Sequence, residues 1–196
     1  MGQANYVNGF SLSLHEGAVE LPLRWKTPQT IFVNSMSDLF HADVPLEFIQ
    51  RLFDVMRQAH WHRFQILTKR AERLRDVALQ LDLAPNIWMG VSVETNDYLY
   101  RVEHLRAAPA AIRFLSLEPL LGPLPDIQLD GIHWVITGGE SGPGARQVQA
   151  AWVTDIRDRC LSAHVPFFFK QWGGVQKKRA GRSLDGRTWD EMPEAA

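Results

Sequence analysis

Three glutamates stand just beyond runs of apolar, often β-branched residues: Glu94 after Ile87-Trp-Met-Gly-Val91, Glu118 after Arg113-Phe-Leu-Ser116, and Glu140 after Trp134-Val-Ile-Thr137. Carboxylates gathered at one place raise one another's pKa and serve as acid, base or metal ligand. Kept apart, each would cap a helix or pair with Lys69, Lys170 or Arg70. The most pointed stretch is His133-Trp-Val-Ile-Thr-Gly-Gly-Glu-Ser-Gly-Pro-Gly144, where the apolar run stops at Gly138-Gly139 and turns polar at Glu140-Ser141. Paired glycines permit positive φ and close approach of the backbone to a ligand. The same grammar recurs along the chain. Thr30 to Asn34 leads into Ser35-Met36-Ser37-Asp38, Phe64 to Thr68 into Lys69-Arg70, and Val91 into Ser92-Val93-Glu94-Thr95. Ser116 precedes Leu117-Glu118-Pro119, and Pro166 to Phe169 leads into Lys170-Gln171-Trp172. Asp38 with His41 offers a metal pair, or Asp38 caps the turn that follows; His60 and His62, flanking Trp61, read as surface residues at a helix end.

These groups need a frame, and the chain supplies six strand-sized apolar runs separated by amphipathic segments. Val44-Pro45 opens a helix that Asp43 can cap, with Phe48, Ile49, Leu52, Phe53 and Met56 at helical spacing. Ala71 to Leu83, Asn96 to Ala108 and Trp152 to Ala163 repeat the pattern. Strands alternating with such helices call for parallel βαβ units with right-handed crossovers. The prolines and glycines between Glu118 and His133 leave a long loop instead of a helix. Polar residues follow all six strands rather than one switch point, which favours a curved, partial TIM-like (β/α) barrel of about six parallel strands over an open doubly wound sheet. The expectation is one α/β domain over residues 1–196: a lead-in over 1–29, in which Leu21, Leu23 and Trp25 alternate as on an edge strand, the partial barrel over 30–172, and an irregular basic tail over 173–196. Unless the lead-in covers it, the edge at Thr30 to Asn34 is open to pairing with a second copy.

The bulk properties narrow the partners. With 196 residues and 45% hydrophobic content the chain can bury a sizeable core, and a net charge of -1 predicts no strong non-specific attraction to nucleic acid or acidic membranes. No apolar run approaches the roughly 20 residues of a membrane span, and no basic stretch precedes an apolar one at the start, so the reading is a soluble, cytoplasmic protein. One cysteine, Cys160, rules out a disulfide within the chain and reads as a small core residue. A local basic run, Lys177-Lys178-Arg179-Ala180-Gly181-Arg182, lies near Trp172 and Trp189 and could follow a phosphate backbone.

Seven motifs in order carry a more specific resemblance: Asn34-Ser-Met-Ser-Asp-Leu-Phe-His41, Leu67-Thr-Lys-Arg70, Gly90-Val-Ser-Val-Glu-Thr95, Leu115-Ser-Leu-Glu-Pro-Leu-Leu-Gly122, Val135-Ile-Thr-Gly-Gly-Glu-Ser-Gly142, Phe168-Phe-Lys-Gln-Trp-Gly173 and Leu184-Asp-Gly-Arg-Thr-Trp-Asp190. Together they resemble a phage and prophage protein family similar to the radical S-adenosylmethionine enzymes, with spore photoproduct lyase among the nearer relatives. The resemblance implies that Asn34, Ser35, Ser37, Asp38, Thr68, Lys69, Ser92, Ser116, Ser141, Lys170 and Gln171 line one cavity with Glu94, Glu118 and Glu140, beside Gly138 and Gly139. A polar cofactor such as S-adenosylmethionine suits such a cavity. In radical enzymes a Gly-Gly-Glu stretch follows an early strand, whereas here it follows a late one, so the amino-binding role is not carried onto Glu140. Full-length relatives hold a [4Fe-4S] cluster on three closely spaced cysteines ahead of the lead-in. Relative to them this chain reads as N-terminally truncated, and Cys160 alone is not expected to assemble the cluster. Three functions remain: the body of a radical enzyme cut from its cluster segment, a clusterless module that binds a nucleotide-like ligand or a partner protein, and a carboxylate- or metal-dependent hydrolase using Glu94, Glu118 and Glu140.

Overall fold

Each of the six apolar runs becomes a strand: β1 (Thr30–Phe32), β2 (Arg63–Thr68), β3 (Ile87–Ser92), β4 (Ile112–Leu117), β5 (Trp134–Gly138) and β6 (Phe167–Gln171). The computed structural model describes residues 12–34, 37–176 and 180–194. Neighbouring strands are parallel throughout and stand in the sheet in chain order, β1-β2-β3-β4-β5-β6. That order contains no switch point, so the doubly wound alternative is set aside. The sheet curls into an open half-barrel, a partial (β/α) barrel.

Helices α2 (Leu46–Gln58), α3 (Ala71–Val77), α4 (Tyr100–Arg106) and α5 (Ala150–Ser162) occupy the crossovers. They follow the apolar periodicity, and α2 buries Ile49, Phe53, Val55 and Met56. Two are shorter than expected: α3 tightens into a 3-10 turn over Ala78–Gln80, and a 3-10 turn over Asn96–Tyr98 precedes α4. Pro45, not Asp43, is the N-cap of α2, and no side chain caps it. Another correction concerns the lead-in. Leu21, Leu23 and Trp25 do not form an edge strand; Leu21–Arg24 is a short helix, α1, with Pro22 in its first turn, packed on α2. Proline's fixed φ suits that position and its missing N–H does not suit a ladder. His62 holds the lead-in down. Far from a surface residue, it is 1% exposed, accepts a hydrogen bond from the Gln29 amide on Nδ1 (3.1 Å) and reaches the Pro22 carbonyl through Nε2 (3.0 Å).

Alternation along the strands sends side chains to two faces. Phe64 and Ile66, Met89 and Val91, Leu115 and Leu117, Val135, and Phe167 and Phe169 join Ile49, Phe53, Leu74, Leu105, Ile156 and Cys160 in the main core between sheet and helices. The loop expected after Glu118 takes the place of a helix there, burying Leu120, Leu124, Ile127, Leu129 and Ile132 in the same core. The concave face carries a second, separate cluster, Trp88, Ile112, Phe114 and Trp134, with Leu67, Ile136 and Phe168 packed against it. Trp134 meets Trp88, Phe114 and Phe168 at ring-centroid distances of 5.9, 5.8 and 6.0 Å. Burying such rings contributes on the order of a few kcal/mol each. Gly90 makes the space: a Cβ there would sit 2.4 Å from the Phe114 ring.

The tail closes one side. Phe169 N–H donates to the Trp189 carbonyl (2.9 Å), Glu191 N–H to that of Phe167 (3.2 Å), and the Trp134 indole to that of Glu191 (2.8 Å). On the other side, no strand among the described residues pairs with the outer edge of β1. No helix among them is long and apolar enough to cross a membrane.

Gly90→Ala forces a methyl group into Phe114 and is expected to destabilise the fold by roughly 1–3 kcal/mol in denaturant unfolding. Adding Phe114→Leu should restore part of that loss, because the two changes act on one contact.

Candidate functional site

All six strands end on the same side of the half-barrel, so the residues that follow them share one mouth. An open cleft of about 640 Å³ lies there, lined by Phe32, Asn34, Ser37, Asp38, Leu67, Thr68, Lys69, Arg70, Ser92, Ser116, Glu118 and Lys170. Leu67 lines the cleft and also packs against the aromatic cluster, so the cluster lies beneath it. Most of the polar residues singled out from the sequence meet in this space.

Asp38 organises the near wall. Its Oδ1 accepts hydrogen bonds from Thr68 Oγ1 (2.7 Å) and Phe40 N–H (3.0 Å), and its Oδ2 from Lys69 N–H (3.0 Å). Thr68 Oγ1 in turn accepts from Arg70 N–H (2.9 Å). The loop after β1 is thus tied to the end of β2, and Asn34 adds a bond to the Ser37 carbonyl (2.9 Å). Asp38 is spent on structure and does not pair with His41 around a metal. Ser92 and Ser116, side by side in the β3–β4 register, are different: their hydroxyls make no hydrogen bond among the described residues and face the cleft.

The three glutamates do not converge. Only Glu118 lines the cleft, where Lys170 Nζ lies 2.7 Å from one oxygen and Gln171 Nε2 donates to the other at 3.0 Å. The same Gln171 amide reaches Ser141 Oγ (2.9 Å) and the Gly139 carbonyl (3.3 Å), so Gln171 and Ser141 brace the site from beneath. Glu94 is 5% exposed and ion-paired with Lys69 and with Arg101, whose Nη1 lies 3.0 Å away and also donates to the Ser92 carbonyl (2.8 Å). The Arg101 guanidinium stacks 4.1 Å from the Tyr98 ring centre. Glu140 sits outside the cleft, in the loop after β5, held by the Arg146 backbone N–H (2.8 Å), Nε (2.8 Å) and Nη2 (2.7 Å). These bonds, the side-chain ones foremost, hold its carboxyl down at about 2.

At Gly139 and Gly173 the packing of the chain itself requires glycine. A Cβ at Gly138 would touch the Glu118 side chain at 3.4 Å; one at Gly139 would lie 2.0 Å from the Trp172 carbonyl oxygen, and one at Gly173 2.1 Å from that of Glu140. The glycines let the loops after β5 and β6 cross backbone to backbone, a contact extended by the Gly174 N–H to the Glu140 carbonyl (2.7 Å). Ser35, Lys177, Lys178 and Arg179 lie outside the described residues. Arg182 belongs to the tail, bonded to Asp190 and stacked 5.0 Å over Phe168. Sequence reasoning gave Arg70 only as a partner for a glutamate and passed over Arg101 and Arg146. The one available signal was an arginine set inside the apolar stripe of Leu99, Val102 and Leu105.

No group of three His, Cys, Asp or Glu among the described residues could hold a metal ion. Cys160 is buried in α5 within the main core, and burial first, then the Glu191 charge, pushes its thiol up to about 12.

Because folding lowers the Glu140 pKa from 4.5 to about 2, its ion pair stabilises the fold fully above pH 4.5 and is lost as pH falls towards 2. Thermal melts of the protein and of Glu140→Gln should therefore differ by a constant amount from neutral pH down to 4.5 and converge below it. Convergence at higher pH, or none, would contradict this assignment.

Searches of curated proteins and of solved structures return no match to this chain. The model of the family DUF5131, described as a protein of unknown function, matches residues 1–193, and the chain belongs to that family.

Proposed function

We propose that the chain is the ligand-binding body of a radical S-adenosylmethionine-like barrel, taking a nucleoside cofactor of that kind in the mouth of the half-barrel. One observation carries the reading: two adjacent hydroxyls without partners among the described residues, Ser92 and Ser116, open onto a cleft that also presents Lys69, Lys170, Glu118 and the half-exposed ring of Phe32. S-adenosylmethionine fits that donor set. The serine hydroxyls suit the ribose or amino-acid oxygens, the lysine ammonium groups suit the carboxylate, and Phe32 with Leu67 offers an apolar wall to the adenine. When bound, such a cofactor supplies a reactive sulfonium next to an adenosyl group. The residues of this chain orient it and give it an apolar contact at Leu67 and Phe32.

A [4Fe-4S] cluster does not fit the same residues. It needs three thiolates, and the one cysteine is a buried, high-pKa thiol on the helix side of the sheet. The reading therefore assigns cofactor binding to this chain without assembly of a cluster on its own residues. Hydrolysis by converging carboxylates is disfavoured by the ion pairs that occupy Glu94, Glu118 and Glu140.

Calorimetric titration with S-adenosylmethionine and S-adenosylhomocysteine tests the proposal. Saturable binding is expected. Losing two hydrogen bonds of about 1 kcal/mol each should weaken it roughly 30-fold in the Ser92→Ala, Ser116→Ala double variant. Absence of binding by both ligands at millimolar concentration would refute the reading, and unchanged affinity in the double variant would move the ligand elsewhere.

A further inference from the structure

Resting on that reading of the mouth as a ligand site, we infer that the cleft also takes a phosphate monoester, the charged end of the substrate that the site acts on or holds. Three cations rim the cleft, Lys69, Arg70 and Lys170, and each remains about half exposed, with side-chain exposures of 57, 42 and 46%.

The way these cations are held matters more than their number. Lys69 is paired with Glu94, whose other oxygen is fixed by Arg101 at 3.0 Å. Lys170 is paired with Glu118, whose other oxygen is fixed by Gln171 at 3.0 Å. On both walls a lysine head is thus presented by a carboxylate that is itself anchored from behind, which removes much of the freedom an ordinary surface lysine would lose on binding. Arg70 is the least neutralised. Its nearest acid is Asp38, 3.6 Å away, and the Asp38 oxygens already accept from Thr68, Phe40 and Lys69.

The charges lining the cleft therefore sum in favour of the cations, with Lys69, Arg70 and Lys170 facing Asp38 and Glu118. Glu94 beneath is offset by its own buried partner, Arg101. A planar guanidinium, two point-charge ammonium groups and two serine hydroxyls unpaired among the described residues make up the donor set that a tetrahedral dianion needs. The carboxylate of a bound S-adenosylmethionine, with one charge and two oxygens, uses only part of this set.

The test compares ribose 5-phosphate with ribose by calorimetry, and uses S-adenosylmethionine in the same preparation to report on the mouth itself. At low salt, ribose 5-phosphate should bind at least tenfold more tightly than ribose, and the difference should shrink as ionic strength rises. Arg70→Gln and Lys170→Gln should each remove most of the difference. Arg70→Gln breaks no hydrogen bond to Asp38, so an unchanged melting temperature is expected for it and keeps the test valid should Lys170→Gln fail to fold. Equal affinity for ribose 5-phosphate and ribose, with S-adenosylmethionine still bound, overturns the phosphate proposal alone. Loss of all three overturns the reading of the mouth as well. A short single-stranded oligonucleotide without terminal phosphates that binds where ribose 5-phosphate does not would also overturn the proposal, in favour of a phosphodiester backbone.

Discussion

An all-parallel sheet whose strands follow one another in space as they do in sequence has one layer of helices and two faces to hide. Right-handed crossovers in that order all fall on the same side. The opposite face must be filled by the strands themselves, and here it is filled by the Trp88, Phe114 and Trp134 cluster, with Arg63 stacked 4.3 Å from the Trp88 ring centre at its lower end. That plug fixes how deep the mouth can be. It ends at Leu67, and above it the lining is polar apart from Phe32.

Within the mouth, charge is managed pair by pair. Asp38 holds backbone, Glu94 and Glu118 hold lysines, and Glu140 holds Arg146 outside the cleft. A low-dielectric floor makes an uncompensated carboxylate costly, so acidic residues near it come with partners. The groups left over for a ligand are the hydroxyls and the outward sides of the cations. This distribution suits recognition and orientation better than proton transfer.

Much of the frame was legible in the sequence, because a parallel strand buried on both faces is a near-continuous apolar run and a polar residue at its end lies at the mouth end of the sheet. Asn34, Asp38, Thr68, Lys69, Ser92, Ser116, Glu118 and Lys170 meet for that reason alone. What the pattern could not reveal was direction beyond the last ladder bond. Glu94 and Glu140 follow their strands as Glu118 does, yet one turns inward to Arg101 and the other away to Arg146, choices made by residues 7 and 6 positions further on. Gly138-Gly139 has the composition of a ligand loop, and only the structure shows the Trp172 backbone crossing at Gly139. The lead-in misled for a similar reason: three alternating apolar residues fit a strand, but Pro22 and the His62 bond to its carbonyl fit a turn of helix.

The tail has a bearing on how the protein comes into being. The Trp134 indole is satisfied by a carbonyl 57 residues later, and the β6 backbone by Trp189 and Glu191. A chain still being synthesised can lay down β1 to β5 with their helices and yet leave the aromatic floor bare on one flank. Trp189 and Glu191 are the residues that seal it, so a product without them would present indole rings to solvent and to quality control.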